Sequence, residues 1–303
     1  MKDRFVRFDW AIKRLLRQKA NFGVLEGFLT VFLGEKVTIV DILESESNQQ
    51  EEFDKFNRVD IKARNSKGEI IIVEVQNTSE VFYLERILYG VAKAITEHIS
   101  LGDDYGEVKK VYSISVLYFD LGEGDDYLYK GQTSFFGIHT NDELKITTRQ
   151  RDAIVRKAPE EIFPTYYLIR VNNFDRVAVS PMEEWMRYLK KGEISADAKA
   201  PGLQEAREKL LYYQMDPAER HAYDEHLNAV MIQNDVLGNA RAEGLAEGRA
   251  EGRAEGKAEG LAEGKTSQQV LTARTMLSDG MSIDLVAKYT GLTKSQIEAF
   301  AAE

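Results

Sequence analysis

The sequence predicts an α/β domain followed by a helical carboxy-terminal region. Short runs of β-branched residues alternate with amphipathic stretches through about the first 190 residues, and only helical patterns remain after Gly192. The chain has 303 residues, of which 43% are hydrophobic, so it is long enough for about two domains with a buried core.

The first part of the chain begins with two helices, which are followed by three strands, a long helix and further strands. Apolar residues at three- and four-residue spacing predict the helices, and short β-branched runs predict the strands. Turn residues at Asn65-Ser-Lys-Gly68 join the second and third strands. The predicted helices cover 9–17, 24–33, 79–100 and 181–189, and the predicted strands cover 37–43, 58–64, 69–76, 111–119, 127–139 and 166–171.

A four-residue repeat interrupts the helical region. Six copies of the unit run from Arg241-Ala-Glu-Gly244 to Leu261-Ala-Glu-Gly264. In a helix this period drifts by about 40° per copy, so the Glu residues and the Arg, Lys and Leu residues form stripes on roughly opposite sides. Each Gly costs about 1 kcal/mol relative to Ala, so such a helix needs a neighbour. Self-association and a pliable spacer are the two interpretations.

The tail after the repeat has the pattern of a small helix-turn-helix unit. Helical runs are separated by breaks at Gly280 and Gly291, and Ser282 and Thr293 are candidate N-caps. Lys294 and Gln296 are suited to DNA, whereas Glu298 and Glu303 repel phosphate, which favours docking or assembly over groove reading. The predicted divisions of the chain are therefore 1–190, a connector at 191–240, the repeat at 241–265 and the tail at 266–303.

Composition excludes several classes of site. The chain has no cysteine, so any metal must be held by oxygen ligands or by its four histidines, which show no ligand spacing. It contains neither an apolar run of roughly 18 residues nor a signal-peptide pattern, so a cytoplasmic protein without membrane contact is expected. A net charge of −10 argues against binding nucleic acid over the whole surface, although a local basic groove or bound Mg²⁺ can override it.

Two carboxylates, Asp60 and Glu74, lie on the strands that the turn connects. If Ser66-Lys-Gly68 is a three-residue hairpin loop with Gly68 in the left-handed conformation, the register sets Asp60 opposite Glu74 and Arg58 opposite Gln76. Their Cβ atoms then lie about 5 Å apart. Because side chains alternate along a strand, Lys62 and Gln76 share this face of the sheet.

An ionised Glu inside an apolar strand is costly unless a charge partner is present, and a bound cation is the partner that the pattern favours. Two carboxylates, waters and the carbonyl of Val75 form a site suited to Mg²⁺ or Mn²⁺, with positions left for a phosphate oxygen. Phosphodiester hydrolysis is the natural reaction of such a site. Lys62 and Gln76 are then the candidates to orient the attacking water or the scissile phosphate.

Asp60, Glu74-Val-Gln76 and Arg86-Ile-Leu-Tyr89, in this order and spacing, resemble the PD-(D/E)XK nuclease superfamily. Within it they resemble the Rpn family of recombination-promoting nucleases and transposase-like proteins, over roughly residues 4–189. The resemblance implies a restriction-endonuclease-like core with a mixed central sheet flanked by helices. It also implies a Mg²⁺-dependent DNA endonuclease associated with recombination, mobile elements or defence, with Asp60 and Glu74 as metal ligands.

The superfamily pattern ends in Lys, and this chain has Gln76 there, so Lys62 is a candidate replacement. The alternative to an active nuclease is a catalytically impaired adaptor that binds DNA or assembles copies of itself, and a structural oligomer without nucleic acid is a third hypothesis. Arg86 and Tyr89 are expected either to contact phosphate or, for Arg86, to pair with Glu74 or Glu85. Asp9 is either a helix-capping carboxylate or a third acid of the metal site.

Overall fold

A computed structural model describes residues 4–14, 16–43, 59–99, 102–150 and 153–301. Side chains of the second hairpin, at 146–150 and 153–157, and of residues 300 and 301 are outside this description. The helices are α1 (Phe8–Arg14), α2 (Phe22–Leu33), α3 (Tyr83–Thr96), α4 (Pro181–Lys191), α5 (Leu203–Lys209), α6 (Pro217–Ser278), α7 (Ile283–Thr290) and α8 (Lys294–Ala301). The strands are β1 (Ile39–Leu43), β2 (Ile61–Asn65), β3 (Ile70–Gln76), β4 (Val111–Leu117), β5 (Leu128–Gly131), β6 (Ile146–Gln150), β7 (Ala153–Lys157) and β8 (Thr165–Arg170).

The main sheet of the described chain is mixed and has the strand order β1-β2-β3-β4-β8-β5. Strands β1, β2 and β3 pair antiparallel, β3, β4 and β8 pair parallel, and β5 closes the edge antiparallel to β8. Helices flank the sheet and the long helical region follows it, so the predicted α/β fold with a mixed central sheet is confirmed.

Strand β3 lies inside the sheet and divides its side chains between two cores. Ile71, Val73 and Val75 belong to the large core that holds α1, α2, α4 and α5, whereas Ile70 and Ile72 pack with α3 on the other face. Both faces are therefore covered, which is why β3 is almost continuously apolar instead of alternating. Glu74 is a buried charge within this strand, so its ionised form is costly unless a partner balances the charge.

Aromatic side chains fill the centre of the large core. The rings of Phe8 and Phe28 have centroids 4.9 Å apart, and Trp185 lies 5.4 Å from Phe28. Leu203, Leu210 and Tyr223 of the predicted connector are also buried in this core. The first residues after α4 thus pack onto the α/β domain.

The structure corrects several predicted boundaries. The long helix is Tyr83–Thr96 instead of 79–100. The strand predicted at 127–139 is confined to Leu128–Gly131, because only these residues of that range pair with β8. The hairpin of β6 and β7 was not predicted. Arg58, predicted to face Gln76, lies outside the described residues.

Chain contacts divide the protein into two compact units, one up to Leu227 and one from Asn228 onward. The finer division at residues 190, 240 and 265 stays a prediction. No helix in the described ranges is both long and apolar enough to cross a membrane.

The second unit contains the repeat and the tail. Helix α6 continues through the repeat to Ser278. Ala273, Val286, Leu292 and Ile297 form a small core between the end of α6, α7 and α8. Gly280 and Gly291 adopt φ angles of 83° and 74°, so the two predicted breaks are confirmed.

The two predicted N-caps of the tail differ. Thr293 accepts a hydrogen bond from the Gln296 backbone and Gln296 accepts one in return, which is a capping box. Ser282 stands at the N-cap of α7, but its side chain makes no capping hydrogen bond.

Gly27 is expected to be indispensable for packing. A Cβ atom at this position of α2 would overlap the backbone of Pro201 and Gly202. Gly27→Ala should therefore lower the free energy of unfolding by about 1–3 kcal/mol, the usual cost of overpacking a core. Urea unfolding followed by the fluorescence of Trp10 and Trp185 measures this unit. Gly106→Ala is the control, because this residue is in the same unit and an added Cβ would make only ordinary contacts, the nearest at 3.6 Å. An equal loss in both variants would contradict the packing explanation.

Candidate active site

A cavity of about 430 Å³ opens at the carboxyl end of β3. Ligand sites of open α/β sheets commonly lie at this end of the parallel strands. Strand β3 supplies one acid and an amide, the second acid stands directly before β2, and the cations come from α1, the turn after it and α3. The lining residues are Lys13, Arg17, Val59, Asp60, Glu74, Val75, Gln76 and Arg86.

Asp60 is positioned by the β2–β3 hairpin. The antiparallel ladder runs from Arg64–Ile70 to Ile61–Val73, so the next residue, Asp60, faces Glu74 as predicted. Gly68 has a φ of 80°, which is the left-handed conformation that the turn requires.

The Asp60 carboxylate is held at both oxygens. Oδ2 accepts a 2.7 Å hydrogen bond from the Val75 N–H group, and Oδ1 lies 3.7 Å from Nζ of Lys13. Burial raises the pKa of Asp60, and the charge of Lys13 and the Val75 hydrogen bond partly oppose this shift. The carboxylate is thus largely buried, oriented and next to a cation.

Glu74 forms an ion pair with Arg86 of α3. Nη1 of Arg86 also lies 2.5 Å from Oε1 of Glu80, and this same oxygen accepts a 2.8 Å hydrogen bond from the Gln76 side chain. The guanidinium lies 5.6 Å from the centre of the Tyr83 ring. Burial lowers the pKa of Arg86, and the charge of Asp60 opposes this shift. Of the two carboxylates proposed as its partner, Arg86 therefore selects Glu74.

Lys62 is not brought into the cavity. It shares the face of Asp60, but it pairs with Ile72 farther from the strand end, where the end of α3 covers the sheet. Its ammonium lies 2.7 Å from Oε2 of Glu97, the residue that caps α3. The structure therefore places the candidate replacement lysine in a buried ion pair. Tyr89 is half-buried on α3 and does not line the cavity either.

Asp9 is fully buried at the centre of a separate network. Its carboxylate accepts hydrogen bonds from Arg7 at 3.0 Å, from Asn77 at 3.2 Å and from the Trp10 backbone at 3.0 Å. Nε2 of His226 is 3.0 Å from its Oδ2. Burial alone raises the pKa of Asp9, but the hydrogen bonds of His226 and Arg7 outweigh it and hold the pKa well below its usual range. These contacts join α1 to α6, and Asp9 is not among the residues that line the cavity.

Two functional candidates were missed in the sequence. Lys13 and Arg17 are four residues apart in the sequence, and both line the cavity. In the helix predicted over 9–17 this spacing places both residues on one side, which is a signal that the sequence contained. In the structure α1 ends at Arg14, and Arg17 lies in the turn that follows. Without knowledge of how α1 packs on the sheet, that signal did not point to the acids.

The donor set fits a hard divalent cation. Two carboxylates face the cavity, and the Val75 carbonyl points toward Asp60, because the N–H and C=O groups of one strand residue lie on the same side. Oxygen donors of this kind suit Mg²⁺ or Mn²⁺. Within the described ranges no group of three or more His, Cys, Asp or Glu side chains converges, so the remaining ligands would be waters and substrate oxygens.

The mixed sheet and the acids at the end of β3 define the PD-(D/E)XK class of nuclease folds. The family model described as PD-(D/E)XK nuclease family transposase matches residues 6–147. A second family model, the Rpn/YhgA-like nuclease family C-terminal HTH domain, matches residues 272–301. These two matches, one in each part of the chain, support the Rpn family that its motifs predicted. The searches of curated proteins and of solved structures returned no match.

The Asp9 network should make stability depend on pH. Because the folded pKa of Asp9 is depressed, its contribution is complete above the ordinary aspartate pKa of about 4 and is lost as pH falls below it. Asp9→Asn should lower the free energy of unfolding by about 3 kcal/mol at pH 7, and the difference from wild type should shrink toward pH 3. Urea unfolding across this range measures both.

Asp41→Asn is the matched control, since Asp41 pairs with Arg64 on the exposed edge of the sheet. Its effect should stay within about 0.5 kcal/mol. A difference between Asp9→Asn and wild type that is small or independent of pH would refute the role of the network.

Proposed function

We propose that the protein is a metal-dependent endodeoxyribonuclease that hydrolyses phosphodiester bonds with Mg²⁺ or Mn²⁺. The observation that carries the proposal is that Asp60 and Glu74 line one cavity at the end of β3, together with Val75 and the cations of α1 and α3. The match to a nuclease family model and the match to a helix-turn-helix model support DNA as the partner. Recombination, mobile-element activity or defence is the proposed biological setting.

Asp60, Glu74 and the Val75 carbonyl are the proposed metal ligands. When bound, the metal would polarise a phosphoryl oxygen and lower the pKa of an attacking water. Burial favours the protonated form of Asp60, whereas Lys13 and the Val75 N–H group favour the ionised form. The ionised carboxylate is the form that can coordinate the metal. Gln76 is neutral, and its side-chain amide can orient a water or a phosphate oxygen but adds no positive charge. Positive charge reaches the cavity from Lys13, Arg17 and Arg86 instead.

A catalytically impaired adaptor is the second candidate. The observations that favour it are Gln76 in the position of the superfamily lysine and the ion pair that engages Glu74. In this case the protein would bind DNA, or assemble copies of itself, without cleaving DNA. Cleavage assays separate the two proposals.

The tail is proposed to serve docking or assembly beside DNA binding. Lys294, the first basic residue of α8, forms an ion pair with Asp284, and Glu298 on the same helix repels phosphate. The basic charge available for groove reading is therefore small on this helix.

The repeat is proposed to pair with a second copy of itself. Side chains at 231–268 of α6 are exposed, and a Cβ added at any of the six repeat glycines meets no atom within 4 Å. An isolated helix would lose about 1 kcal/mol at each glycine, which a neighbour can offset by close packing along the four-residue row. The Glu stripe of one copy complements the Arg and Lys stripe of another. A homo-oligomer through the carboxy-terminal region follows, with a spacer as the alternative.

Plasmid nicking tests the nuclease proposal. With Mg²⁺, wild type should convert supercoiled DNA to the open circle, and Asp60→Asn and Glu74→Gln should each reduce the rate by more than about 100-fold, since even outer-shell partners of metals are worth about 10- to 100-fold. Asp41→Asn should retain the wild-type rate. Wild-type DNA binding without cleavage would support the adaptor, and equal cleavage in all four proteins would remove the two acids from the mechanism.

Deletion of residues 241–265 tests the repeat. The segment corresponds to about seven helical turns, so the flanking parts of α6 keep nearly the same rotational phase. Sedimentation velocity should show a smaller oligomer than wild type. A charge swap gives a matched control. Glu251→Lys, Glu255→Lys and Glu259→Lys together should weaken association, and adding Arg249→Glu, Arg253→Glu and Lys257→Glu should restore it. If the deletion variant forms an oligomer with the same number of copies as wild type, the repeat is better explained as a spacer.

A further inference from the structure

Each acid of the cavity is neutralised by a cation from a different helix. Lys13 of α1 lies 3.7 Å from Oδ1 of Asp60, and Arg86 of α3 contacts Glu74. The two cations approach from opposite faces of the sheet, because α1 packs in the large core and α3 packs on the other face. The acid pair is thus electrically balanced by the chain itself.

This arrangement competes with metal binding. The oxygens proposed to coordinate a metal are those that Arg86 and Lys13 contact, and Oδ2 of Asp60 already accepts the Val75 hydrogen bond. A divalent cation between the acids would also repel two positive charges only a few ångströms away. Metal entry is therefore expected to displace both cations from the carboxylates.

Arg86 has the contacts of a side chain that can turn without leaving the site. Glu80 holds Nη1 at 2.5 Å independently of Glu74, and the Tyr83 ring lies beneath the guanidinium. Its buried Nε has no hydrogen-bond partner among the described residues. An unsatisfied buried donor is costly, and a phosphate oxygen would satisfy it.

The side chain of Lys13 is exposed enough to move from Asp60 to a bound phosphate. Its side chain is 48% exposed at the mouth of the cavity, against 16% for its partner Asp60. A lysine ammonium on a flexible stem can move from a carboxylate to a phosphate at little cost.

We infer that Lys13 and Arg86 exchange partners during the reaction: they neutralise Asp60 and Glu74 before the metal binds, and they contact phosphate oxygens of DNA once the metal has replaced them. This inference rests on the proposed nuclease function. It assigns to α1 and α3 the positive charge that Gln76 does not provide at the end of β3.

The sign of the effect on metal affinity separates this role from a structural one. If the two cations only support the acids, removing either cation misplaces a ligand and weakens metal binding. If they compete with the metal, removing either one strengthens it. Linked binding of this kind usually changes an affinity by roughly 5- to 100-fold.

Calorimetric titration with Mn²⁺ alone tests the competition in the full chain. Lys13→Gln and Arg86→Gln should each bind Mn²⁺ roughly 5-fold or more tightly than wild type. Lys67→Gln and Arg64→Gln are matched controls, because these residues form ion pairs with Glu35 and Asp41 away from the cavity. Lys13 lies on the surface of α1, so Lys13→Gln decides the sign even if Arg86→Gln does not fold.

Salt dependence of DNA binding tests the second half of the exchange. With Mn²⁺, each variant should lower the slope of log affinity against log salt by about 1 relative to wild type, since one phosphate contact is lost. In EDTA the slopes of the variants and of wild type should agree, because Lys13 and Arg86 then remain paired with the acids and do not contact phosphate.

Unchanged or weaker Mn²⁺ affinity in the variants, or equal slope changes with and without Mn²⁺, would overturn the exchange. Failure of Mn²⁺ to bind any of the proteins would overturn it as well. Mn²⁺ binding that is detected only in the variants supports it. Plasmid nicking decides the proposed function separately, since wild type can cleave DNA whether or not the two cations exchange.

Discussion

The hydrogen bond from the Val75 N–H group to the Asp60 carboxylate fixes the geometry on which the site depends. The β2–β3 ladder ends with Ile61 opposite Val73, and at the next position a side-chain oxygen accepts the bond that a strand backbone would otherwise accept. This contact holds Asp60 beside the strand that contains Glu74. A single turn with Gly68 in the left-handed conformation is sufficient to set the register.

A buried Glu74 and a largely buried Asp60, on neighbouring strands, are stable only if cations are near. Breaking a buried ion pair leaves an uncompensated charge and typically costs several kcal/mol, so Lys13 and Arg86 contribute to folding as well as to the proposed chemistry. The same reasoning explains Asp9, whose charge is balanced by Arg7 and His226. That network connects α1 to the start of α6 and keeps the helix that provides Lys13 in place on the sheet.

Sequence reasoning succeeded where the signal was local. The hairpin register, the breaks at Gly280 and Gly291 and the mixed α/β fold follow from turn residues, periodicity and family resemblance. It failed where partners are distant in the chain: His226 lies 217 residues from Asp9, and Glu97 lies 35 residues from Lys62. Strand alternation placed Lys62 on the correct face, but only the packing of α3 decides that its ammonium turns to Glu97. The role of Lys13 depends likewise on how α1 docks.

The most direct measurement is an anomalous difference map from crystals of the full chain soaked in Mn²⁺. We expect one manganese peak coordinated by carboxylate oxygens of both Asp60 and Glu74, with the Val75 carbonyl as a third protein ligand. A map without a peak between these acids, in which Asp60 and Glu74 keep only Lys13, Arg86 and the Val75 N–H group as partners, would contradict this expectation.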